Sequence, residues 1–372
     1  MLGVYVHLPF CAYLCPYCDF AKWPLRASSA RRYLEALSAE ITREPRATAA
    51  TLYLGGGTPN AYDCETIAQL LGSLKDRFGV TAERSIEVNP ELVRDGDLVA
   101  YRQAGITRLS IGVQSFEPDE IRTLGRKHTG EMVDAVVAAA RTAGMDSVSL
   151  DLMYGVPGQT PASWERSLRR AVGLQVDHIS AYGLTVEENT PYAAWRAREP
   201  TAFFDDEREA ELYALAIDLL HAAGYQQYEI SNFARPGQQC AHNLNYWANG
   251  EYVGLGVGAA SYRDGVRWVH TRSLDEYVAA ALEGRPVPSE AERLEGRRQA
   301  GEAMMLALRT VQGVRLADFK ERYGIDVIVD YDPVVSHLAQ TGLLERTADT
   351  LRLTRRGRFL ANDVCGAFIT FE

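Results

Sequence analysis

The chain alternates between short apolar stretches and longer segments whose apolar residues recur every three or four positions. The short stretches predict strands at Val4–Leu8, Thr51–Leu54, Arg84–Val88, Arg108–Val113, Ser147–Leu152 and His178–Leu184. The longer segments read as amphipathic helices. Leu34, Leu37 and Ile41 share one face, as do Ile67, Leu70, Leu71, Leu74 and Phe78, and again Trp164, Leu168 and Val172. Strands separated by helices call for a parallel sheet, because parallel neighbours need a crossover that a helix supplies. Six such units predict an α/β fold, an incomplete TIM-like (β/α)6 barrel. Function should then collect where strands end and loops begin.

Beyond a helix expected at 205–223 the pattern changes. Residues 225–234 look extended, and 252–269 mix glycine with tyrosine and tryptophan, as hairpins or loops do. A charged stretch from Ser289 predicts a helix to about Thr310, followed by short helices at 316–323 and 332–341 and a hairpin around 347–354. Helix, helix, helix and β-wing make a winged-helix outline. The expected organisation is a barrel over 1–235, a glycine- and aromatic-rich connecting region over 236–289, and a winged-helix-like C-terminal domain over 290–372.

The formal net charge of −10 argues against general nucleic-acid binding, since phosphate neutralisation needs a basic surface. The C-terminal outline does not change this: residues 291–372 carry 12 basic and 12 acidic side chains, so that domain reads as a packing or partner module. No stretch approaches the roughly 18 apolar residues of a membrane span. The opening MLGVYVHLPFC lacks the basic region and cleavage site of a signal peptide, so a cytoplasmic location is expected.

Three of the six cysteines crowd into HLPFCAYLCPYCDF, as Cys11, Cys15 and Cys18, directly after the first predicted strand. In a reducing compartment such crowding means metal more often than disulfide. A zinc site normally takes four ligands, and so does a complete iron–sulfur cube. Three local thiolates leave one coordination position open to a substrate or cofactor. A zinc knuckle completed by His7 or a remote cysteine would use the same residues.

Gly55-Gly56-Gly57-Thr58-Pro59 follows the second strand, where glycines let a backbone approach a ligand closely. Glu87, Gln114 and Asp151 each fall at or just past the end of a successive strand, at the barrel mouth. Arg126 follows in LGRKHT and could pair with a carboxylate through its planar fork. From the residues alone, ligand contact and local salt bridges both account for these positions.

Three cysteines so spaced after the first strand of a βα series resemble the radical S-adenosylmethionine (SAM) superfamily, in which the open iron chelates the methionine end of SAM. More narrowly, VYVHLPFCAYLCPYCDF, YLGGGTPN, IEVNPE, RLSIGVQSF, LGRKHT, DLMYGVPGQT and YEISNFARPG resemble the HemN/HemW family, over nearly the whole chain. That family contains oxygen-independent coproporphyrinogen III oxidases and related heme chaperones. The resemblance implies a 4Fe–4S cluster on Cys11, Cys15 and Cys18, and SAM contacts at Tyr5, Gly56, Gly57, Thr58, Glu87, Gln114, Arg126 and Asp151.

Between the two branches the sequence leans to the chaperones. The oxidases carry a further cysteine two residues after the third, where this chain has Phe20. They also carry an N-terminal extension, which is not expected here because the first strand begins at about residue 4. Cys240-Ala241-His242-Asn243-Leu244-Asn245-Tyr246-Trp247 resembles the HNxxYW motif of the chaperone branch, which is associated with heme. Imidazole is a standard axial ligand and aromatic rings suit a macrocycle, so His242 is the expected heme ligand, with Cys240 or Tyr246 as substitutes. The implied partners are heme and an acceptor hemoprotein, such as a respiratory one, with a homodimer allowed. The alternatives are oxidative decarboxylation of coproporphyrinogen III and a zinc-bound structural module.

Overall fold

The computed structural model describes residues 1–369. Six strands follow one another as the apolar stretches predict: β1 (Leu2–Leu8), β2 (Thr51–Gly56), β3 (Glu83–Val88), β4 (Arg108–Gln114), β5 (Ser147–Tyr154) and β6 (His178–Gly183). They lie side by side in that order, all parallel. The crossovers are helices, among them α1 (Ala27–Arg43), α2 (Cys64–Phe78), α3 (Asp97–Gln103), α4 (Gly130–Thr142) and α5 (Pro161–Gly173), and α6 (Asp206–Ala222) follows β6. Local chemistry sets their ends. The Asp63 carboxylate caps α2 by accepting the Thr66 N–H at 2.8 Å, and Gly79 ends that helix in the left-handed region at φ 51°. Thr160 and Ser163 form a reciprocal cap at the start of α5.

Side-chain alternation separates two environments. Val4, Val6, Leu8, Leu52, Leu54, Ile86, Leu109, Ile111, Leu150 and Leu152 are fully buried in the main apolar core, under the helices. Their neighbours in sequence, Tyr53, Glu87, Ser110, Asp151, His178 and Ser180, turn to the inside of the curved sheet and line a cavity. The outside of the barrel wall is therefore its hydrophobic core, and the inside is polar.

The connecting region 236–289, in which 252–269 is expected as hairpins or loops, contributes much of the sheet's other half. β7 (Gln226–Gln227) pairs antiparallel with β8 (Asn232–Ala234), which itself runs antiparallel along β6, and β9 (Glu251–Leu255) pairs in parallel with the far side of β1, with Tyr5 opposite Gly254. The strands β10 (Ala260–Arg263), β11 (Val266–His270) and β12 (Ser289–Arg293) continue outward antiparallel, giving twelve strands in one unclosed sheet. Ser289–Arg293 had been expected to start a helix. It is instead a wholly exposed edge strand, where the Arg267–Glu292 ion pair joins directly opposed residues.

A short helix α7 (Ala241–Trp247) lies between β8 and β9, and α8 (Gly296–Leu308) opens the C-terminal part. There Met304, Leu308, Val335, Leu338, Leu351 and Phe368 form a separate core around the strands Val314–Arg315, Leu344–Arg346 and Thr350–Leu353. This is the winged-helix outline. It docks on the barrel through backbone bonds from Ile230 to Arg309 and from Val311 to Tyr228, at 3.1 and 3.0 Å.

Candidate functional site

The cysteine segment is pinned at both ends. Phe10–Cys11 pairs with Trp23–Pro24, and the Trp23 and Leu25 amides donate to Pro9 and Cys11 carbonyls at 3.0 and 2.8 Å. Between these clamps the chain bulges out with Cys15 and Cys18 half-buried and Cys11 buried. All three line one cavity of about 370 Å³ that runs from the C-terminal ends of the strands down the inside of the barrel to Arg108, His178 and Cys240. Burial raises the Cys11 thiol to about 11, against a smaller lowering by the Thr58 hydroxyl.

The glycine turn is hydrogen-bonded to this segment, with Gly57 N–H donating to Leu8 O at 2.9 Å and Thr58 N–H to Phe10 O at 3.1 Å. A Cβ on Gly57 would sit 2.7 Å from the Pro9 carbonyl carbon. Gly56 has φ +109°, and a Cβ there would meet the His7 ring at 2.5 Å. The two glycines are thus required by close approach and by backbone conformation respectively.

Opposite the cysteines, Glu87 accepts from Tyr53 Oη at 2.9 Å and from the Gly56 amide at 3.2 Å. Its burial, and then the negative charge of Asp151, raise its carboxyl to about 7. Asp151 accepts from Ser180 at 2.8 Å and from Ser110 at 3.0 Å, bonds that offset part of the upward push of burial. Gln114 stands at a bulge in β4 with φ 66°, which turns the chain at the mouth. Arg126 donates to Asn89 Oδ1 at 2.9 Å and to the Gly112 carbonyl, and its Nη1 lies 3.9 Å from Cys15 Sγ.

The structure therefore brings Cys11, Cys15, Cys18, Gly56, Gly57, Thr58, Glu87, Gln114, Arg126 and Asp151 around one cavity. Tyr5 does not join them: its hydroxyl bonds His7 Nδ1 at 3.0 Å, and it lines a second cavity. Sequence reasoning missed Tyr53, Asn89, Ser110 and Ser180, which hold the cavity's charged groups in place. The signal for Ser110 and Ser180 was present, since each is a polar residue between two apolar ones within a strand.

His242 also lies apart from the cysteines. It sits in α7, which with the preceding loop plugs the N-terminal end of the barrel. There Glu83 accepts the amides of Ala241 and His242, while Arg108 pairs with Glu83 at 2.9 Å and caps the Gln238 carbonyl. The His242 ring is 1% exposed and stacks on Tyr53. Its Nδ1 bonds Thr51 Oγ1 and its Nε2 bonds Tyr246 Oη, both at 2.9 Å, so both ring nitrogens are engaged. Burial lowers its pKa to about 4, keeping the ring neutral.

The second cavity, about 730 Å³, is an open groove along the unclosed side of the barrel. Tyr246, Trp247, Tyr252 and Tyr262 line it, with Arg267 and Arg272. Phe20, Tyr53, Gly56, Glu87, Tyr182 and Asn243 border both cavities, so the groove and the cysteine cavity share a wall.

Comparison with known proteins places this geometry. The profile of the radical SAM superfamily matches residues 5–171, and that of the HemN C-terminal domain matches residues 294–360. The protein named heme chaperone HemW in Bacillus subtilis is 34% identical over 376 residues, covering 99% of either chain. Its namesake in Mycobacterium tuberculosis is 39% identical, covering 97% of this chain and 93% of its own. The chain belongs to the HemW family. Among solved structures, the coproporphyrinogen III oxidase HemN from Escherichia coli superposes with a TM-score of 0.87 at 26% identity, covering 100% of this chain and 90% of that one.

For a HemW family member, the donor set suits a polynuclear cluster. The three thiols line one shared cavity, and a cube of four irons takes each thiolate on a different iron.

Proposed function

We propose that this protein is a heme chaperone: it binds heme and passes it to an acceptor hemoprotein, with a 4Fe–4S cluster and SAM bound in the barrel. The observation that carries this is the end-to-end likeness to HemW relatives, at 34% identity over 99% of both chains. In this reading Cys11, Cys15 and Cys18 would hold the cluster, which would supply an open coordination position for SAM. Gly56, Gly57 and Thr58 offer backbone to the methionine portion, and Glu87, Gln114 and Asp151 face its ammonium and hydroxyl groups. Arg126 screens the thiolate charge. Tyr5 acts from behind this wall through His7. The α7 segment carrying His242 contacts heme from the groove side. The 1–235 barrel thus serves the cofactors, 236–289 the heme, and 290–372 the acceptor.

Among the described residues no helix is long and apolar enough to cross a membrane. We infer a cytoplasmic protein that meets a respiratory acceptor from that side, as a monomer or homodimer. The alternative, coproporphyrinogen oxidation, draws on the likeness to HemN. Titrating heme into anaerobically reconstituted protein, and assaying porphyrinogen turnover with SAM and reductant, separates the two. Stoichiometric heme binding without turnover supports the chaperone, and SAM-dependent turnover without heme binding overturns it.

A further inference from the structure

The chain makes a costly turn at the cavity mouth. Across Gln114 the Ser115 amide donates to the Val113 carbonyl at 2.8 Å, and Gln114 itself has φ 66°. A three-residue turn of this sense is rare, and strained for any residue with a side chain. Gln114 is also the residue that lines the cysteine cavity there, just past the register shift between Gly112 and Gln114. A strained residue keeps its conformation only when its neighbours hold it, so whatever holds Gln114 bears on what the cavity can bind.

The hold runs through Glu120, in the short helix Pro118–Thr123. Glu120 is 4% exposed, and its carboxylate accepts from Ser115 Oγ at 2.6 Å, Ser163 Oγ at 2.5 Å and Gln159 Nε2 at 3.0 Å. Each of these donors is committed elsewhere too. Ser115 Oγ accepts the Glu117 amide at 3.0 Å, and Ser163 Oγ accepts the Thr160 amide at 2.9 Å where α5 begins. Gln159 accepts the Gly155 amide at 2.8 Å and donates to the Met153 carbonyl at 3.2 Å. Glu120 thus ties the turn after β4 to the turn after β5 and to α5, in a buried network whose members are all bonded.

We propose that Glu120 is a positioning residue of the cofactor site: through Ser115 it holds the Gln114 turn, so that the Gln114 side chain is fixed at the cavity before SAM arrives. The proposal rests on the reading that this cavity takes SAM. Glu120 does not line the cavity, so its effect has to pass through the residues it holds. The route is one residue long, because the Ser115 hydroxyl bonded to Glu120 belongs to the residue directly after the strained one. Without the carboxylate, Ser115 loses a charge-assisted bond, the turn relaxes toward ordinary extended backbone, and Gln114 spends part of its time away from the cavity. SAM affinity then falls in proportion to the fraction of chains still in the competent conformation.

The test uses the full chain with its cluster reconstituted anaerobically, and titrates SAM into it by calorimetry. Ser115→Ala and Glu120→Leu should each weaken SAM binding about tenfold, the coupling usual within one hydrogen-bonded network. Glu120→Gln keeps an oxygen that can accept from Ser115, and should stay within about threefold of wild type. The deciding measurement is Ser115→Ala in a Gln114→Ala background, where the further loss should fall below about twofold. Circular dichroism and iron content per chain serve as folding controls, and Ser115→Ala carries the test alone if Glu120→Leu does not fold. Wild-type affinity in Ser115→Ala would overturn the proposal, as would a loss that persists undiminished without the Gln114 side chain, or equal losses in Glu120→Gln and Glu120→Leu. Wild-type protein that carries its cluster and takes up no SAM would instead overturn the reading of the cavity itself.

Discussion

Glu87 offers a quantitative check on the cofactor site. Its carboxyl moves from an ordinary 4.5 to about 7, through burial first and Asp151 second. Because the folded value lies above the unfolded one, the ionised group opposes folding. The cost is fully present above the folded pKa and disappears as pH falls below the unfolded value. At about 1.4 kcal/mol per unit, a shift of this size costs about 3 kcal/mol near pH 8 and only about 1 kcal/mol near pH 5. Glu87→Gln removes the charge and keeps the bond from Tyr53, but sets an amide against the Gly56 N–H, losing about 1 kcal/mol. The cluster-free variant should therefore be more stable than wild type by about 2 kcal/mol near pH 8 and about equal to it near pH 5. Urea denaturation at the two pH values measures this. An offset that does not change with pH, or one larger at acid pH, would refute the argument. The same substitution should weaken SAM binding by at least about tenfold, since a buried carboxylate is relieved when a cationic ligand arrives.

Other consequences can be tested singly. Gly57→Ala places a methyl group against the Pro9 backbone, and should cost about 1–3 kcal/mol and lower iron content per chain on reconstitution. Trp164→Ala empties a fully buried site and removes the indole bond to Leu212 O at 2.9 Å between α5 and α6. Loss of about 3–5 kcal/mol is expected in chemical denaturation, with the cluster spectrum retained at low denaturant. Arg108→Leu strands Glu83 in the barrel floor and should cost about 3–5 kcal/mol, with much of the loss recovered by adding Glu83→Gln.

Much of this protein was legible in the chain itself, because the physics involved is local. Strand and helix periods follow from side-chain geometry, so β1 to β6 and their crossover helices could be read from residues such as Val4, Val6 and Leu8, or Leu70 and Leu74. The cysteines, the glycine turn and the polar residues at strand ends were equally visible, since spacing along one strand and its loop decides which end of the barrel they reach. Pairing between distant segments was not visible. Nothing in Glu251–Leu255 says that its partner is Leu2–Leu8, some 250 residues earlier, because a ladder of backbone bonds carries almost no side-chain signature. The edge strand Ser289–Arg293 was missed for the same reason: its charges satisfy a helix pattern, and only the neighbouring β11 makes it extended. Tertiary structure also decided what the motif residues do. A histidine beside aromatics reads as a free ligand in sequence, yet closure of the barrel floor stacked the His242 ring on Tyr53 and engaged both its nitrogens, on Thr51 and Tyr246. Residue type fixes which chemistry is available, and packing fixes which atoms remain free to perform it.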